Sequence, residues 1–312
     1  MNSKRQDVVE PAHAAAGARR SRARTGLLYG LSAYTVWGFI PLYFRAVSDV
    51  PPLVVLCHRI LWSVLFLAVV VSARRDWPFI WSVLRNRRHV LMLAAGAVLI
   101  AANWLIFIYA VASHQLLQAS LGYFINPLLS IALGLLFLRE RLRGWQWLAV
   151  LLAGAAVAHL ALRGSGFPWI ALSLAGSFGF YGLVRKKVDI DSLHGLLVET
   201  AILLPVALVV LALPVSRSPA PAMLRLLSLA GIITAVPLLL FGAAVRRLEL
   251  STVGFLQYLG PTLQFLVAFF LFGEPLDQTR LVSFGLCWLA IAVYVIDSIL
   301  THHPQTVADE PE

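Results

Sequence analysis

Long apolar segments separated by short polar breaks fill the chain from residue 26 to residue 299. Each segment is close to the roughly 20 residues that a helix needs to cross a bilayer, so the pattern predicts an all-α integral membrane protein. The charge-free run 89–138 is too long for one helix, and its polar break, Ser113-His114-Gln115, predicts a tight turn. We place ten membrane-spanning helices at 26–45, 52–72, 89–112, 117–138, 144–162, 166–185, 193–213, 225–245, 251–272 and 279–299.

A sequence repeat relates the two halves of the chain. Pro127 is followed 13 residues later by Glu140, and Pro261 is followed 13 residues later by Glu274, so each residue of the first pair lies 134 residues before its counterpart. This offset predicts two copies of a five-helix unit. Because five is odd, the second copy must be inverted in the membrane, an arrangement that usually puts the substrate site at the interface of the copies.

The predicted organisation therefore has four parts. Residues 1–25 form a disordered basic cytoplasmic tail, 26–162 the first repeat, 166–299 the second repeat, and 300–312 a cytoplasmic tail. This assignment makes both termini cytoplasmic, because most of the basic residues outside the spans then lie on the cytoplasmic side.

Composition supports a membrane protein over a nucleic-acid-binding one. Hydrophobic residues make up 60% of the chain and charged residues 13%, with a mean hydropathy of +0.82. The net charge of +10 comes from short clusters between apolar segments, which is a topology signal, so we predict the lipid bilayer and a small solute as partners and no nucleic acid. Cys57 and Cys287 both fall inside predicted spans, so no disulfide framework is expected.

Two formal charges lie well inside predicted spans, Arg59 in the second and Glu199 in the seventh. A charge in hydrocarbon is costly unless it faces a cavity or a partner, which makes both residues candidates for function. They are repeat mates at an offset of 140. One alternative is a structural ion pair that locks the halves together, although each residue lies about 10 Å inside helices that start on opposite faces. Arg59 is then the candidate for binding an anionic group, and Glu199 the candidate for proton coupling.

A polar set near the two prolines predicts a cavity between the halves. Pro127 frees the carbonyl of Tyr123 from its helical partner, and Pro261 frees that of Gln257. Freed carbonyls at membrane depth are tolerated where they line a cavity, although a structural kink is the alternative. The remaining predicted pathway residues are Asn103, Trp104, Asn126, Tyr258 and Gln264.

Motifs of soluble catalysis are absent from the sequence. The chain has no Gly-rich loop ending in Lys-Ser/Thr, no H-E-x-x-H and no G-x-S-x-G. We therefore predict no catalytic residue, no metal site and no cofactor. A transporter is favoured over a structural or sensory membrane protein, and over a membrane enzyme that acts on a lipid.

A set of short motifs extends over nearly all of the predicted spans. The chain resembles the RarD-type permeases of the EamA branch of the drug/metabolite transporter superfamily. That resemblance implies ten helices in two inverted repeats, a central solute pathway, and export of drugs or metabolites, with a chloramphenicol-resistance label common, across a bacterial inner membrane. It does not fix the substrate, the coupling ion or the oligomeric state. The matching stretches are WGFIPLYF (37–44), HRILWS (58–63), NWLIFIYAV (103–111), SLGYFINP (120–127), FLRERL (137–142), SFGFYGLVRKK (177–187), VPLLLFGAAVRRL (236–248), FLQYLGPT (255–262) and FGEPL (272–276).

Overall fold

The structure, a computed structural model, describes residues 6–138, 144–163, 167–213, 219–245, 247–248 and 256–301. Regular structure in these ranges is helical throughout, which confirms the predicted all-α class. A π-helical turn, Val267–Leu271, follows α11. The helices are α1 (Gln6–Ala46), α2 (Pro52–Arg74), α3 (Trp77–Arg85), α4 (Arg87–Ala112), α5 (Leu116–Leu138), α6 (Gly144–Arg163), α7 (Trp169–Lys186), α8 (Ser192–Ala212), α9 (Pro221–Ser228), α10 (Ala230–Val245), α11 (Leu259–Leu266) and α12 (Gln278–Thr301).

Seven helical segments of the described chain are long and apolar enough to cross a membrane. They are Ala23–Ala46, Pro52–Arg74, Arg87–Ala112, Gly144–Arg163, Ser192–Ala212, Pro221–Ala244 and Gln278–Asp297. The other three predicted spans coincide with α5, with α7, and with α11 together with the π-helical turn. A multi-pass helical membrane protein is therefore established, and the count of ten spans stays a prediction.

The predicted turn between the third and fourth spans is confirmed. Helix α4 ends at Ala112 and α5 begins at Leu116. His114 has a φ of 56°, in the left-handed region, and the Gln115 amide donates to the Ala110 carbonyl at 2.8 Å. The chain thus reverses within three residues, as a polar break inside a long apolar run requires.

Three parts of the structure differ from the predicted pattern. Helix α1 begins at Gln6, so residues 6–25 of the segment predicted as a disordered tail are helical. Alanine and arginine, which are frequent there, are strong helix formers. The predicted span 225–245 is divided into α9 and α10, which break at Leu229, and the loop after the second span contains the short helix α3.

Helix packing has the same pattern in both halves. Helix α1 packs against α10 and α11, and the corresponding α7 packs against α4 and α5. Likewise α2 packs against α8, and α6 packs against α12. Close approach depends on small residues: a Cβ at Gly122 of α5 would come within 2.6 Å of the Ala171 carbonyl oxygen of α7. Such small-residue contacts are the usual means of helix association in membranes.

Candidate functional site

A cavity of about 340 Å³ lies among eight helices, α1, α2, α4, α5, α7, α8, α10 and α11. Its volume is in the range of small-molecule sites. Eight of the predicted pathway residues are on its wall: Arg59, Asn103, Trp104, Tyr123, Asn126, Gln257, Pro261 and Gln264. Seven of the other wall residues are aromatic: Tyr34, Trp37, Phe44, Phe107, Phe178, Tyr181 and Phe241.

A second cavity, of about 450 Å³, lies between the ends of α5, α6, α7 and α12. Its wall includes none of the predicted pathway residues. The two charged side chains on that wall are Asp277 and Arg280. They pair with each other at 3.7 Å, at the start of α12. The 340 Å³ cavity, which contains an arginine with no such partner, is therefore the better candidate for a solute site.

Arg59 is a buried cation without an acidic partner among the described residues. Its side chain is 6% exposed, and its Nε donates to Thr234 Oγ1 at 2.9 Å. The guanidinium carbon lies 4.0 Å from the centroid of the Trp104 ring and 5.5 Å from that of Phe44. Cation–π contacts offset part of the cost of burying the charge, but they do not neutralise it. The wall therefore carries an uncompensated positive charge.

Glu199 is fully buried and lies beside the cavity, held by two residues of α7. The Tyr181 hydroxyl donates to its Oε2 at 3.0 Å, and Arg185 Nη1 lies 3.7 Å from its Oε1. A Cβ at Gly96 of α4 would come within 2.9 Å of the same Oε1. Glycine at position 96 thus leaves the space that the carboxylate occupies, and Tyr181 and Arg185 stand between the carboxylate and the cavity.

Within the described residues, no ion pair joins Arg59 and Glu199; the cationic partner of Glu199 is Arg185. Arg185, the last residue of the predicted span 166–185, was not among the predicted pathway residues, and the structure places it in α7 and on the cavity wall. Arg185 also donates to the carbonyls of Ile190 and Asp191, at 3.0 and 3.1 Å. Since Arg185 and Glu199 balance each other, the site retains the single positive charge of Arg59.

Asn103 connects three helices at the cavity wall. Its Nδ2 donates to the Leu174 carbonyl and to Ser177 Oγ, both at 3.0 Å, which joins α4 to α7. Its Oδ1 accepts a 3.1 Å hydrogen bond from the Tyr123 hydroxyl of α5. Asn103 therefore fixes the position of the Tyr123 ring, which lines the cavity.

Two buried amides on the wall keep an acceptor oxygen without a hydrogen-bond partner in the described structure. Gln264 Nε2 donates to the Trp37 carbonyl at 3.1 Å, whereas Gln264 Oε1 and Asn126 Oδ1 are unpaired. A buried polar atom without a partner is costly. Neither oxygen is exposed to the cavity in this conformation, so each would need a side-chain rotation to accept from a solute or from water.

The predicted prolines differ in their effect on the helices. Pro261 lies on the wall, its carbonyl accepts from Ser120 Oγ at 2.7 Å, and a turn at Tyr258 precedes α11. Helix α5, by contrast, continues through position 127. The Pro127 side chain and Glu140 lie outside the described residues. Tyr258 is buried but is not part of the cavity wall.

Glu274 connects the two halves at one end of the molecule. Glu274 accepts hydrogen bonds from the first two amides of α5, those of Leu116 at 2.6 Å and Leu117 at 2.8 Å. Beside it, Arg45 Nη1 lies 2.8 Å from His114 Nε2. Burial raises the pKa of the Glu274 carboxyl above its ordinary value, although the two amide hydrogen bonds lower it. At the other end, the wall extends to Ser192, the first residue of α8.

Several wall residues occupy equivalent positions in the two halves. Wall residues of the third and fourth predicted spans have counterparts 134 residues later, in the eighth and ninth spans. Wall residues of the first span have counterparts 141 residues later, in the sixth span. The offset of 134 relates Ile100 to Thr234, Trp104 to Leu238, Phe107 to Phe241, Tyr123 to Gln257 and Asn126 to Gly260, and the offset of 141 relates Trp37 to Phe178, Ile40 to Tyr181 and Phe44 to Arg185.

Several wall residues were not predicted from the sequence. The repeat offset from Trp104 and Phe107 could have indicated Leu238 and Phe241. No sequence signal distinguished Arg185 from its basic neighbours, because its role depends on which residue it meets across the helix interface.

Comparisons with known proteins find relatives that match most of the chain. A profile of the EamA-like transporter family matches residues 24–162. Protein RarD of Escherichia coli is 47% identical over 286 residues, which is 90% of this chain and 97% of that protein. An uncharacterised transporter of Pseudomonas aeruginosa is 47% identical over 283 residues, 88% of this chain and 94% of that protein. The chloramphenicol-sensitive protein RarD of the same species is 32% identical over 281 residues, 88% of this chain and 94% of that protein. A chain of known crystal structure, 19% identical, covers 90% of this chain and 99% of its own length with a TM-score of 0.59, which supports the fold alone.

Proposed function

Since the chain belongs to the RarD-type permeases of the EamA-like transporter family, we propose that it is a secondary exporter that moves small amphipathic solutes by alternating access, without ATP. The observation that carries this proposal is Arg59, a buried cation that has no acidic partner among the described residues and lies on the wall of a 340 Å³ cavity to which both halves contribute. An intramembrane charge facing a cavity is the usual mark of a solute or ion pathway.

The proposed topology has ten membrane-spanning helices, with inverted repeats at 26–162 and 166–299. We place the protein in the inner membrane of a bacterial cell, with both termini in the cytoplasm. The mirrored packing of the helices and the equivalent wall positions support the repeat. The clustering of basic residues supports the orientation. In this orientation the end that contains Glu274 is periplasmic, and the cavity extends toward the cytoplasm at Ser192.

The proposed solute carries one anionic group and an apolar or aromatic body. Arg59 would hold the anionic group, since a guanidinium offers paired donors to a carboxylate and stays charged at physiological pH. The aromatic wall would contact the body of the solute, and Gln264 and Asn126 would accept from its donor groups. A relative named for chloramphenicol sensitivity supports a solute of drug-like size.

Glu199 is the proposed site of proton coupling. Its carboxylate has one cationic partner, Arg185, whose guanidinium is also on the cavity wall. A solute or a conformational change that draws Arg185 away leaves Glu199 buried and unpaired, and burial favours the neutral, protonated form of a carboxyl group. Proton binding would thereby be linked to the state of the cavity.

Transport in liposomes tests this proposal. The purified chain is reconstituted with an imposed pH gradient and a panel of anionic, zwitterionic, neutral and cationic aromatic solutes. We expect Arg59→Lys, which keeps the charge but loses the planar fork, to reduce transport of anionic solutes most. Arg225→Lys, an exposed arginine of α9, is the matched control.

Glu199→Gln should abolish accumulation driven by the pH gradient while leaving exchange of solute down its own gradient. If no solute of the panel is transported by the wild-type chain, or if Arg59→Lys and Arg225→Lys behave alike, the cavity is not the solute site. If Glu199→Gln lowers only the yield of folded protein, Glu199 is structural.

A further inference from the structure

Helix α3 is a short amphipathic helix between two membrane-crossing segments. It starts three residues after the end of α2 and ends two residues before the start of α4, so it must lie near the surface of the membrane. Ile80 and Val83 are each 3% exposed and pack on the protein. Phe79, Trp81 and Leu84 are 42%, 59% and 41% exposed. An aromatic side chain beside the protein-facing stripe is typical of a helix that lies in the membrane interface.

The ends of α3 carry a cluster of exposed arginines. Arg74, Arg75, Arg85, Arg87 and Arg88 are all exposed, and none of them is within salt-bridge distance of a carboxylate of the described residues. The one acidic residue between them, Asp76, already faces His194 Nε2 at 3.4 Å. The surface therefore combines exposed aromatic rings with unpaired positive charge.

We propose that this surface, α3 with its five flanking arginines, binds acidic phospholipid of the adjoining leaflet, independently of the solute that the protein transports. The arginines would contact the phosphate-bearing headgroups, and Trp81 would lie at the depth of the headgroup boundary. Charge complementarity favours an anionic lipid over a zwitterionic one, and each arginine near such a surface contributes about fivefold to binding. A soluble acidic protein would pair with the arginines but would leave the exposed side chains of α3, Phe79, Trp81 and Leu84, in water.

Contacts of α3 connect this surface to the second half of the chain. The Phe79 ring packs edge-on against His194, with centroids 4.7 Å apart. His194 also bonds Asp191, whose carboxylate caps α8 by accepting from the Leu193 amide at 3.0 Å. Helix α8 carries Glu199. Lipid bound to α3 would thus stabilise the start of the helix that bears the buried carboxylate.

Quenching of Trp81 by brominated lipid tests the proposal on the full chain. The protein is reconstituted in phosphatidylcholine vesicles containing increasing fractions of phosphatidylglycerol with brominated acyl chains, or of brominated phosphatidylcholine as the zwitterionic arm. The Trp81 signal is the fluorescence of the wild type minus that of Trp81→Phe. We expect it to be quenched at a much lower mole fraction of phosphatidylglycerol than of phosphatidylcholine, with the difference shrinking in high salt.

The variant Arg87→Gln/Arg88→Gln should need about 25-fold more phosphatidylglycerol for the same quenching, and the matched control Arg163→Gln/Arg225→Gln should behave as the wild type. Equal quenching by both lipids, or no difference between the two double variants, would overturn the proposal. An unquenched Trp81 in both arms would mean that the surface faces water and suits a soluble partner, which also contradicts it.

Discussion

Removing either partner of the buried pair Arg185–Glu199 should have very different effects on stability. At their separation of 3.7 Å, two unit charges attract by about 4.5 kcal/mol with an effective dielectric constant of about 20. Both single substitutions lose this attraction, so the difference must come from what the remaining partner can do. Side-chain exposure is 15% for Arg185 and 0% for Glu199.

Arg185 can lose its partner at a small cost in stability, whereas Glu199 cannot. In Glu199→Gln, Arg185 keeps its two backbone carbonyl acceptors and its access to water, and the new amide can still accept from Tyr181. We expect a loss of about 1 kcal/mol of unfolding free energy. In Arg185→Gln, a fully buried carboxylate keeps only the Tyr181 hydroxyl, and we expect a loss of about 3–5 kcal/mol.

A double-mutant cycle in detergent, with unfolding followed by circular dichroism, measures the difference. Arg185→Gln/Glu199→Gln should be more stable than Arg185→Gln alone, because it no longer buries an unpaired charge. Equal losses from the two single substitutions, or a double variant that is the sum of both, would refute the assignment of Arg185 as the partner of Glu199.

Three other predictions concern topology, packing and capping. Cysteine at position 278 (Gln278→Cys) should react with an impermeant thiol reagent from outside intact cells and Ser192→Cys should not; labelling of the latter would contradict the proposed orientation. In a thermal unfolding assay, Gly122→Ala should destabilise the chain by about 2 kcal/mol or more, because its methyl group would press on a carbonyl of α7. The control Gly154→Ala has open space at its Cβ and should be neutral or stabilising by about 0.5–1 kcal/mol. Glu274→Ala should cost about 1–2 kcal/mol, since it removes the cap of α5, and Glu274→Gln less; equal stability of both variants and the wild type would show that the cap does not matter.

The sequence by itself determined the features that depend on local composition. Apolar runs of spanning length can only be helices in a bilayer, because every backbone amide must be satisfied within its own segment. The polar break in the run 89–138 located the turn between α4 and α5, and the high cost of intramembrane charge identified Arg59 as a candidate. Several polar residues of the cavity wall were also predicted, since a polar group at membrane depth needs a cavity or a polar partner.

Only the tertiary structure decided which groups meet. The partner of Glu199 is Arg185, although repeat symmetry related Glu199 to Arg59, because α4 packs on both α7 and α8 and so brings the Arg185 guanidinium to the carboxylate. The space for that carboxylate comes from Gly96, on a third helix. Such contacts depend on the rotation and separation of helices that lie far apart in the chain. The sequence pattern shows which face of a helix is polar, but it does not show which neighbouring helix that face will contact.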